Sequence, residues 1–308
     1  MPVVNTVTGP IDADQLGWTM PHEHIVVAWD GTFLDSTLEV DWQKLEDDAA
    51  GALTRARESG IDSFIDMTTI EMGRDPALMK RLSEKSGLQI ICCTGLFAEG
   101  YGIPQYFREL TEEEIAEIYV TELTEGIGDT GVRAGVIKVA TGDRVVTELE
   151  EKIVRAGARA HRATGAPVLT HTGRGGGGER QIELLTEGGV APGKIVVGHS
   201  DVSADSKYHL RMLKKGVFVG FDRIGLTAFM PDEVRAGCLA TLIRMGYTDQ
   251  LTMSLDAHVE WCGRPQPLTR EREFTSLREE FFPRLHQLGI TEDEIDSIMV
   301  DNVRRLFS

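Results

Sequence analysis

The sequence predicts an α/β protein folded as a single (β/α)8 TIM barrel, and three observations support this. Its 308 residues exceed the ~250 that such a barrel typically needs, which leaves room for insertions. Apolar runs of strand length alternate with amphipathic runs of helical length. Most of the apolar runs are continuous rather than alternating, as expected for parallel strands buried on both faces. We find no linker, low-complexity tract or repeat, so we expect one domain over residues 1–308.

Eight runs have the length and composition of strands. They lie at residues 19–27, 63–69, 89–95, 134–140, 167–172, 195–200, 217–222 and 251–257. A doubly wound sheet is the alternative arrangement of such strands. It usually carries a GxGxxG turn after the first strand, whereas the first strand here contains HEH. The barrel is therefore the preferred fold.

Amphipathic segments of helical length separate the strands, and several end in glycine, a natural helix stop. We predict helices at residues 41–60, 146–165, 203–216, 231–246, 269–289 and 291–307. The long acidic segment 100–131 is an insertion after the third strand, and residues 111–128 within it are expected to contain a helix.

The charge balance limits the classes of partner. A formal net charge of −17 disfavours binding to phosphate backbones or anionic lipid surfaces. The chain begins without the basic and apolar regions of a secretory signal, and no apolar run reaches the ~18 residues of a membrane span. We therefore expect a cytoplasmic protein that acts on a small molecule, without nucleic-acid or membrane partners.

The four cysteines form no CxxC pair, so a zinc knuckle is not expected. We interpret them as inert thiols, because free cysteine usually behaves as a small buried hydrophobe. Cys92 and Cys93 are adjacent in a predicted strand and should face opposite sides of it.

Metal-capable side chains lie near the ends of five predicted strands. In barrel enzymes the carboxyl ends of the strands carry the active site, and buried polar groups are costly unless something satisfies them. The side chains are those of His22, His24, Lys138, His171, His199 and Asp256.

His22 and His24 are two residues apart on one strand, so both side chains face the same side and could bind one metal ion. The alternative is a pair of hydrogen-bonded core histidines. His171 and His199 on consecutive later strands strengthen the metal interpretation. Asp256 ends the eighth strand, which closes against the first, and its carboxylate would be stabilised by the same ion.

Lys138 lies inside the apolar run VIKVA. It could extend out of the strand end or pair with a carboxylate. Burial would instead lower its pKa and make it a neutral, reactive amine. Such an amine can add carbon dioxide to give a carbamate, an anionic ligand that can bridge two metals. Four imidazoles, an aspartate and a carbamate suit two divalent ions, with zinc favoured and cobalt, manganese or iron possible.

Six runs, in order along nearly the whole chain, resemble the phosphotriesterase family of the amidohydrolase superfamily. They are TGPIDADQLGWTMPHEH, VIKVATG, VLTHT, VGHSD, GFDRIG and SLDAH. The resemblance implies that His22, His24 and Asp256 bind a buried metal and that His171 and His199 bind a more exposed one. An N6-carboxylated Lys138 and a hydroxide would bridge them, and the protein would be a homodimer.

The resemblance also implies catalytic roles. Asp256 would take a proton from the attacking hydroxide, with Asp222 as a relay. Arg235 aligns with a basic position that assists Asp256.

Within the family, the GFDR run is shared with the phosphotriesterase-like lactonases, so Arg223 matches a residue of their substrate channel. Phe97 stands where those lactonases carry a tyrosine, and Tyr101 is close enough in sequence to replace its hydroxyl. Trp261, with His258, is interpreted either as a substrate contact or as part of a surface loop.

Two further features have simple interpretations. The glycine-rich run 173–179 lacks the GxxxxGK[ST] pattern of a phosphate loop, so we expect a flexible loop over the active site. Three histidines lie on predicted helices and are expected to be solvated: His161, His209 and His286.

The leading hypothesis is a binuclear metal-dependent hydrolase. The favoured activity is a lactonase, including N-acyl homoserine lactones, with promiscuous phosphotriesterase and aryl esterase activity. The alternative keeps the metals but changes the substrate to another carboxylate ester, amide or phosphodiester, because Phe97 and the glycine run depart from the lactonase pattern. A structural metal protein is disfavoured, because structural zinc sites are usually closed and rich in cysteine.

Overall fold

The computed structural model describes residues 2–142, 145–173, 176–264 and 272–308. The strands, in chain order, are β1 (Val3–Thr6), β2 (Gly9–Asp12), β3 (Thr19–Glu23), β4 (Val26–Ala28), β5 (Ser63–Asp66), β6 (Gln89–Gly95), β7 (Val136–Ala140), β8 (Val168–His171), β9 (Ile195–Val197), β10 (Phe218–Phe221), β11 (Leu251–Met253) and β12 (Glu260–Cys262). The α-helices are α1 (Trp42–Glu58), α2 (Pro76–Ser86), α3 (Gln105–Glu109), α4 (Glu112–Thr124), α5 (Glu148–Thr164), α6 (Gly178–Glu187), α7 (Ser206–Leu213), α8 (Asp232–Leu242), α9 (Phe282–Gln287), α10 (Glu292–Asp296) and α11 (Asn302–Phe307).

Eight parallel strands, β3 and β5 to β11, form one sheet in which spatial order follows chain order. The first and last strands of this sheet meet at a seam. There the amide of His22 donates to Ser254 Oγ at 3.0 Å. The buried Glu23 carboxylate accepts the amides of Leu255 at 2.7 Å and Ala257 at 2.8 Å. The predicted (β/α)8 barrel is confirmed.

All eight predicted strands are present, but most are shorter than predicted at their carboxyl ends. The first ends at Glu23 rather than residue 27, and the eighth ends at Met253 rather than residue 257. The polar residues that follow leave the sheet and turn into the pocket above it. Most of the metal-capable side chains therefore lie near the end of a strand or just beyond it, whereas Lys138 lies in the middle of β7.

The predicted helices correspond to observed ones, and their ends follow local chemistry. Thr111 and Thr147 begin α4 and α5 with capping boxes, which satisfy the free amides of the first turn. Gly165 ends α5 with a φ of 77°, a conformation that glycine adopts without strain. Residues 269–271 of one predicted helix lie outside the described part of the chain.

Helices α2 and α6 are structured segments that the sequence patterns did not single out. Helix α6 begins at Gly178, so the last two residues of the predicted loop 173–179 are helical. Residues 174 and 175 of that loop lie outside the description.

Two apolar layers make up the core. One fills the space between the sheet and the helices, and the smaller one fills the barrel interior. Cys92 belongs to the outer layer and Cys93 to the interior, which confirms that the two face opposite sides. The β1–β2 hairpin lies at the amino-terminal end of the barrel, where Val4 joins the interior layer. None of the described helices has the length and apolar character needed to cross a membrane.

Candidate active site

Asp222, just beyond β10, holds two of the predicted metal ligands from behind. Its Oδ2 lies 3.0 Å from Nδ1 of His22, and its Oδ1 lies 2.7 Å from Nδ1 of His199. Oδ1 also accepts the amide of His199 at 2.7 Å. Because Asp222 occupies both Nδ1 atoms, Nε2 is the ring nitrogen that each histidine directs into the pocket.

The other predicted ligands surround this pair. His171 Nδ1 lies 2.8 Å from His199 Nε2. Asp256 Oδ1 lies 3.2 Å from His24 Nε2 and 3.8 Å from His22 Nε2. One ligand atom each from His22, His199 and Asp256 falls within a span of 4.8 Å. The ends of five separate strands thus bring the predicted residues into one cluster.

Two members of the cluster have unusual backbone conformations. Among the described residues, His199 and Asp256 are the two non-glycine residues with positive φ, at 57° and 53°. This region costs a residue with a Cβ about 1 kcal/mol or more. The folded chain tolerates that strain at two side chains that point into the same cluster.

Lys138 lies in the middle of β7, and only 1% of its surface is exposed. Its Nζ lies 2.9 Å from His22 Nε2, and within the described ranges no carboxylate forms an ion pair with it. Burial lowers the pKa of Lys138 to about 8. The lysine is therefore buried inside the cluster. This fits the predicted buried amine, and not the alternative in which the side chain extends out of the strand end.

Burial also keeps His22, His171 and His199 neutral. Burial, and after it the nearby charge of Lys138, lower the pKa of His22 to about 3. Burial lowers the pKa of His171 well below its usual value and also lowers that of His199. A neutral imidazole keeps a lone pair on one ring nitrogen, which is the form that binds metals.

The carboxylate of Asp256 is held ionised. Burial acts to raise its pKa, but His199, the hydrogen bond with His24 and the Arg223 guanidinium together lower it well below the usual range. The Arg223 Nε donates to Asp256 Oδ2 at 3.1 Å. The cluster therefore combines neutral nitrogen donors with one anionic oxygen donor.

A cavity of about 510 Å³ opens above the cluster. Aromatic rings form one wall: Phe97 lies 4.5 Å from the His171 ring, and Tyr101 lies 5.0 Å from Phe97. Trp29 stacks on Tyr101 at 5.7 Å and meets Trp261 at 4.7 Å. Further apolar lining comes from Val27, Met67, Met72, Val202, Leu226, Ala228 and Phe229.

The chain matches the Phosphotriesterase family over residues 2–307. It belongs to this family. A phosphotriesterase homology protein of Mycobacterium tuberculosis is 32% identical over 322 residues, which span 100% of this chain and 98% of that protein. An aryldialkylphosphatase of Saccharolobus solfataricus is 31% identical over 312 residues, spanning 97% of each. A mutant PTE-like lactonase from Deinococcus radiodurans superposes with a TM-score of 0.94 at 39% identity, covering 99% of this chain and 100% of that structure.

As a member of the phosphotriesterase family, the protein is a hydrolase of a binuclear metal-enzyme family, and its donor set fits such a centre. Nitrogen and carboxylate donors suit zinc and similar divalent ions. Two of the donors, His22 and His199, are already oriented by Asp222. Lys138 Nζ lies 2.9 Å from His22 Nε2, so a buried amine lies beside these donors.

The structure also locates the remaining predicted residues. The cavity is lined by Arg223, Phe97, Tyr101 and Trp261, and their contact with substrate stays a prediction. Tyr101 lies farther from the His171 ring, at 6.5 Å between centroids, than Phe97 does.

Two predicted roles fit the geometry less well. Asp222 lies behind the histidines, so the structure supports an orienting role, and the proton relay stays a prediction. Arg235 does not assist Asp256 directly, because its guanidinium binds Asp201 and Asp232 instead.

Several residues of this phosphotriesterase-family site were missed by sequence reasoning. Thr68 Oγ1 lies 2.8 Å from His24 Nδ1, and Trp29 forms part of the aromatic wall. A weak signal existed for Thr68, since it lies near the end of the predicted strand 63–69. His161 and His209 were predicted to be solvated and are buried. His209 faces the barrel, and its Nε2 lies 2.8 Å from the Ser200 carbonyl, whereas His286 is exposed as predicted.

Proposed function

We propose that the protein is a binuclear metal-dependent lactonase that accepts N-acyl homoserine lactones and hydrolyses phosphotriesters and aryl esters less efficiently. The observation that carries the proposal is the cluster of four histidines and Asp256 at the base of an apolar cavity of about 510 Å³. A hydrophobic cavity with a few converging polar groups suits an acyl chain attached to a polar, hydrolysable ring. Similarity to PTE-like lactonases supports the same choice.

Two divalent ions bound by these residues would supply an activated water and a Lewis acid for the substrate oxygen. His22, His24 and Asp256 would hold one ion, and His171 and His199 the other, with Lys138 shared as a carbamate. Zinc is the first candidate.

The protein groups have separate tasks. Asp222 keeps the Nε2 atoms of His22 and His199 directed into the cavity. Asp256, ionised because of its cationic and histidine neighbours, accepts the proton that the attacking water releases. Arg223 lies at the cavity edge, where its guanidinium can orient the polar end of the substrate. The Phe97 and Trp261 rings exclude water from the apolar end.

One observation favours a different substrate for the same metal-dependent hydrolysis. The Phe97 ring packs edge-on against His171 at 4.5 Å and has no hydroxyl to donate to a lactone oxygen. Tyr101 is one ring farther out. The second candidate is therefore a metal-dependent hydrolase of another carboxylate ester, an amide or a phosphodiester.

The deciding experiment is kcat/KM of the metal-reconstituted enzyme on five substrates: a long-acyl homoserine lactone, a δ-lactone, an aryl phosphotriester, an aryl ester and an N-acyl amide. We expect the long-acyl lactone to be the best substrate and the phosphotriester to be slow. Negligible turnover of both lactones with efficient turnover of the ester or amide would support the second candidate instead.

The metal assignment has its own test. His171→Asn should lose nearly all activity and part of the bound metal while remaining folded, because one ion loses a ligand. The exposed His286 offers a matched control, and His286→Asn should retain wild-type activity and metal content. Near-full activity of His171→Asn, or of fully metal-depleted enzyme, would contradict the assignment.

A further inference from the structure

The loop that connects β10 to α8, residues 223–231, forms one side of the cavity, and we call it the wall loop. It contributes Arg223, Leu226, Ala228 and Phe229 to the lining. The loop has no regular secondary structure over most of its length, so other contacts must fix its shape.

Arg235, in the first turns of α8, is a fully buried charged residue with 0% exposure. Its Nη2 donates to the Leu226 carbonyl at 3.0 Å, and its Nη1 donates to the Met230 carbonyl at 2.6 Å. Its Nε binds Asp201 Oδ2 at 2.7 Å, and Nη1 also binds Asp232 Oδ1 at 2.8 Å. The guanidinium thus joins both halves of the wall loop to two carboxylates.

The two carboxylates bind the same loop again. Asp201 Oδ2 accepts the amide of Arg223 at 3.1 Å. Asp232 Oδ1 accepts the amide of Gly225 at 3.0 Å. Two amides and two carbonyls of one loop are therefore tied to a single buried charge cluster.

Such a cluster is a costly way to stabilise a fold. The desolvation of buried charges offsets most of their attraction, and apolar packing is often as stable. Unlike apolar packing, directional hydrogen bonds also hold the backbone in one defined conformation. Here that conformation carries the Arg223 side chain, whose Nε lies 3.1 Å from Asp256 Oδ2 and whose Cζ lies 5.1 Å from the Phe229 ring.

We propose that Arg235, with Asp201 and Asp232, is a positioning residue that sets substrate specificity by holding the wall loop, and with it Arg223 and Phe229, against the cavity. Arg235 itself touches no substrate, because it is wholly buried behind the loop. The choice of a long-acyl lactone as probe rests on the proposed function, whereas the anchoring of the loop does not.

A loosened wall loop should affect binding more than chemistry. The metal-capable histidines and Asp256 lie at the ends of other strands, so of the groups near the reacting end of the substrate only Arg223 depends on the loop. A substrate that extends along the wall loop loses contacts, and its KM rises. A small substrate that stays over the cluster is little affected.

The test compares Asp232→Ala with Glu233→Ala in the metal-loaded enzyme. Both substitutions remove an acidic residue from the first turn of α8, but Glu233 pairs with Arg284 at the surface and not with the loop. For Asp232→Ala we expect KM for the long-acyl lactone to rise about tenfold, as for the loss of one charge-assisted hydrogen bond. The kcat on a small aryl ester should change less than about twofold.

Hydrogen–deuterium exchange gives a readout that does not depend on turnover. Amides of residues 223–230 should exchange faster in Asp232→Ala than in wild type or Glu233→Ala. Arg235→Lys keeps a cation opposite Asp201 but cannot reach both carbonyls, so it should shift exchange and KM in the same direction. Equal KM changes on both substrates, or unchanged exchange in the loop, would overturn the proposal.

The two proposals fail separately. If wild-type enzyme hydrolyses no lactone, the proposed function is wrong, and the KM comparison is made with the largest substrate that it does accept. The exchange measurement decides the anchoring in either case. If Arg235→Lys does not fold, Asp232→Ala and its control remain decisive.

Discussion

The charged form of the Lys138 side chain is energetically unfavourable inside the cluster. It is 1% exposed, its nearest described polar partner is the uncharged ring of His22, and an unpaired buried ammonium is strongly disfavoured. Burial already lowers its pKa to about 8. Conversion to a carbamate would remove the buried cation and supply the anionic oxygen ligand that two divalent ions require.

Lys138→Ala should therefore lose metal and activity together, and short carboxylic acids such as acetate or propionate should restore part of both by occupying the space left behind. Metal content and kcat, measured with and without the acid, test this. Lys44→Ala at the exposed α1 surface is the control and should match wild type. Full activity of Lys138→Ala without added acid would contradict a carbamate.

The variant Asp222→Asn distinguishes two roles of Asp222, the orientation of His22 and His199 and the relay of a proton. An asparagine has one acceptor oxygen, so one of the two Nδ1–H groups would face an NH₂ group and its ring would turn. We expect metal affinity to fall about 10–100-fold, as is typical for loss of a partner that orients a ligand.

Competition with a chelator measures this affinity, and Asp249→Asn at the exposed surface serves as the matched control. Unchanged metal affinity with a reduced kcat would instead favour the relay that the family resemblance implies.

The six predicted ligands could be found from the sequence because parallel strands of a barrel all end at one rim. Residues such as Thr68 could not, because a hydroxyl near a strand end is common and its partner lies far along the chain. His209 was misjudged for a related reason. An amphipathic pattern marks the buried face of a helix, but it does not say that a histidine there will bind the Ser200 carbonyl.

The strands of the barrel are the elements that the sequence predicts best, and their ends are predicted worst. Continuous apolar runs identify a buried strand, but His199 and Asp256 follow such runs with positive φ, a local conformation that strand propensity does not anticipate. The hairpin β1–β2 and the short rim pair β4 and β12 were missed, since short strands leave little periodicity to detect.

The hairpin has a structural role that is separate from the chemistry. Asn5 in β1 donates from Nδ2 to the carbonyls of Leu123 at 3.1 Å and Ala134 at 3.0 Å, joining the amino-terminal end of the barrel to the segment around α4. Asn5→Ala should lower the free energy of unfolding by about 1–3 kcal/mol, because two carbonyls lose their donor.

Urea unfolding measures the loss for Asn5→Ala, while kcat should stay unchanged. Gln43→Ala is the control, because among the described residues the Gln43 side chain bonds to Asp47 alone, on the exposed face of α1. It should lose less than about 0.5 kcal/mol. A large fall in kcat for Asn5→Ala would show that the hairpin affects the site.

The molecule as a whole carries a formal net charge of −17, while the cavity that it surrounds is largely apolar. A homodimer, which stays a prediction, would double that charge. Long-range fields change the rate at which charged molecules arrive, but they do not act on neutral ones. A neutral lactone should therefore enter without an electrostatic barrier, whereas an anionic ester should be repelled before it reaches Arg223.

This repulsion predicts a salt dependence that differs between two substrates of similar size. Screening extends over roughly 30 Å at 0.01 M salt and about 8 Å at 0.15 M. Over that range kcat/KM for an aryl ester bearing a carboxylate should rise several-fold, while kcat/KM for its neutral methyl ester should change less than about twofold. The ratio of the two cancels any effect of salt on stability or metal binding. A parallel response of both substrates would contradict this prediction, because the net charge of the molecule would then have no effect on entry to the cavity.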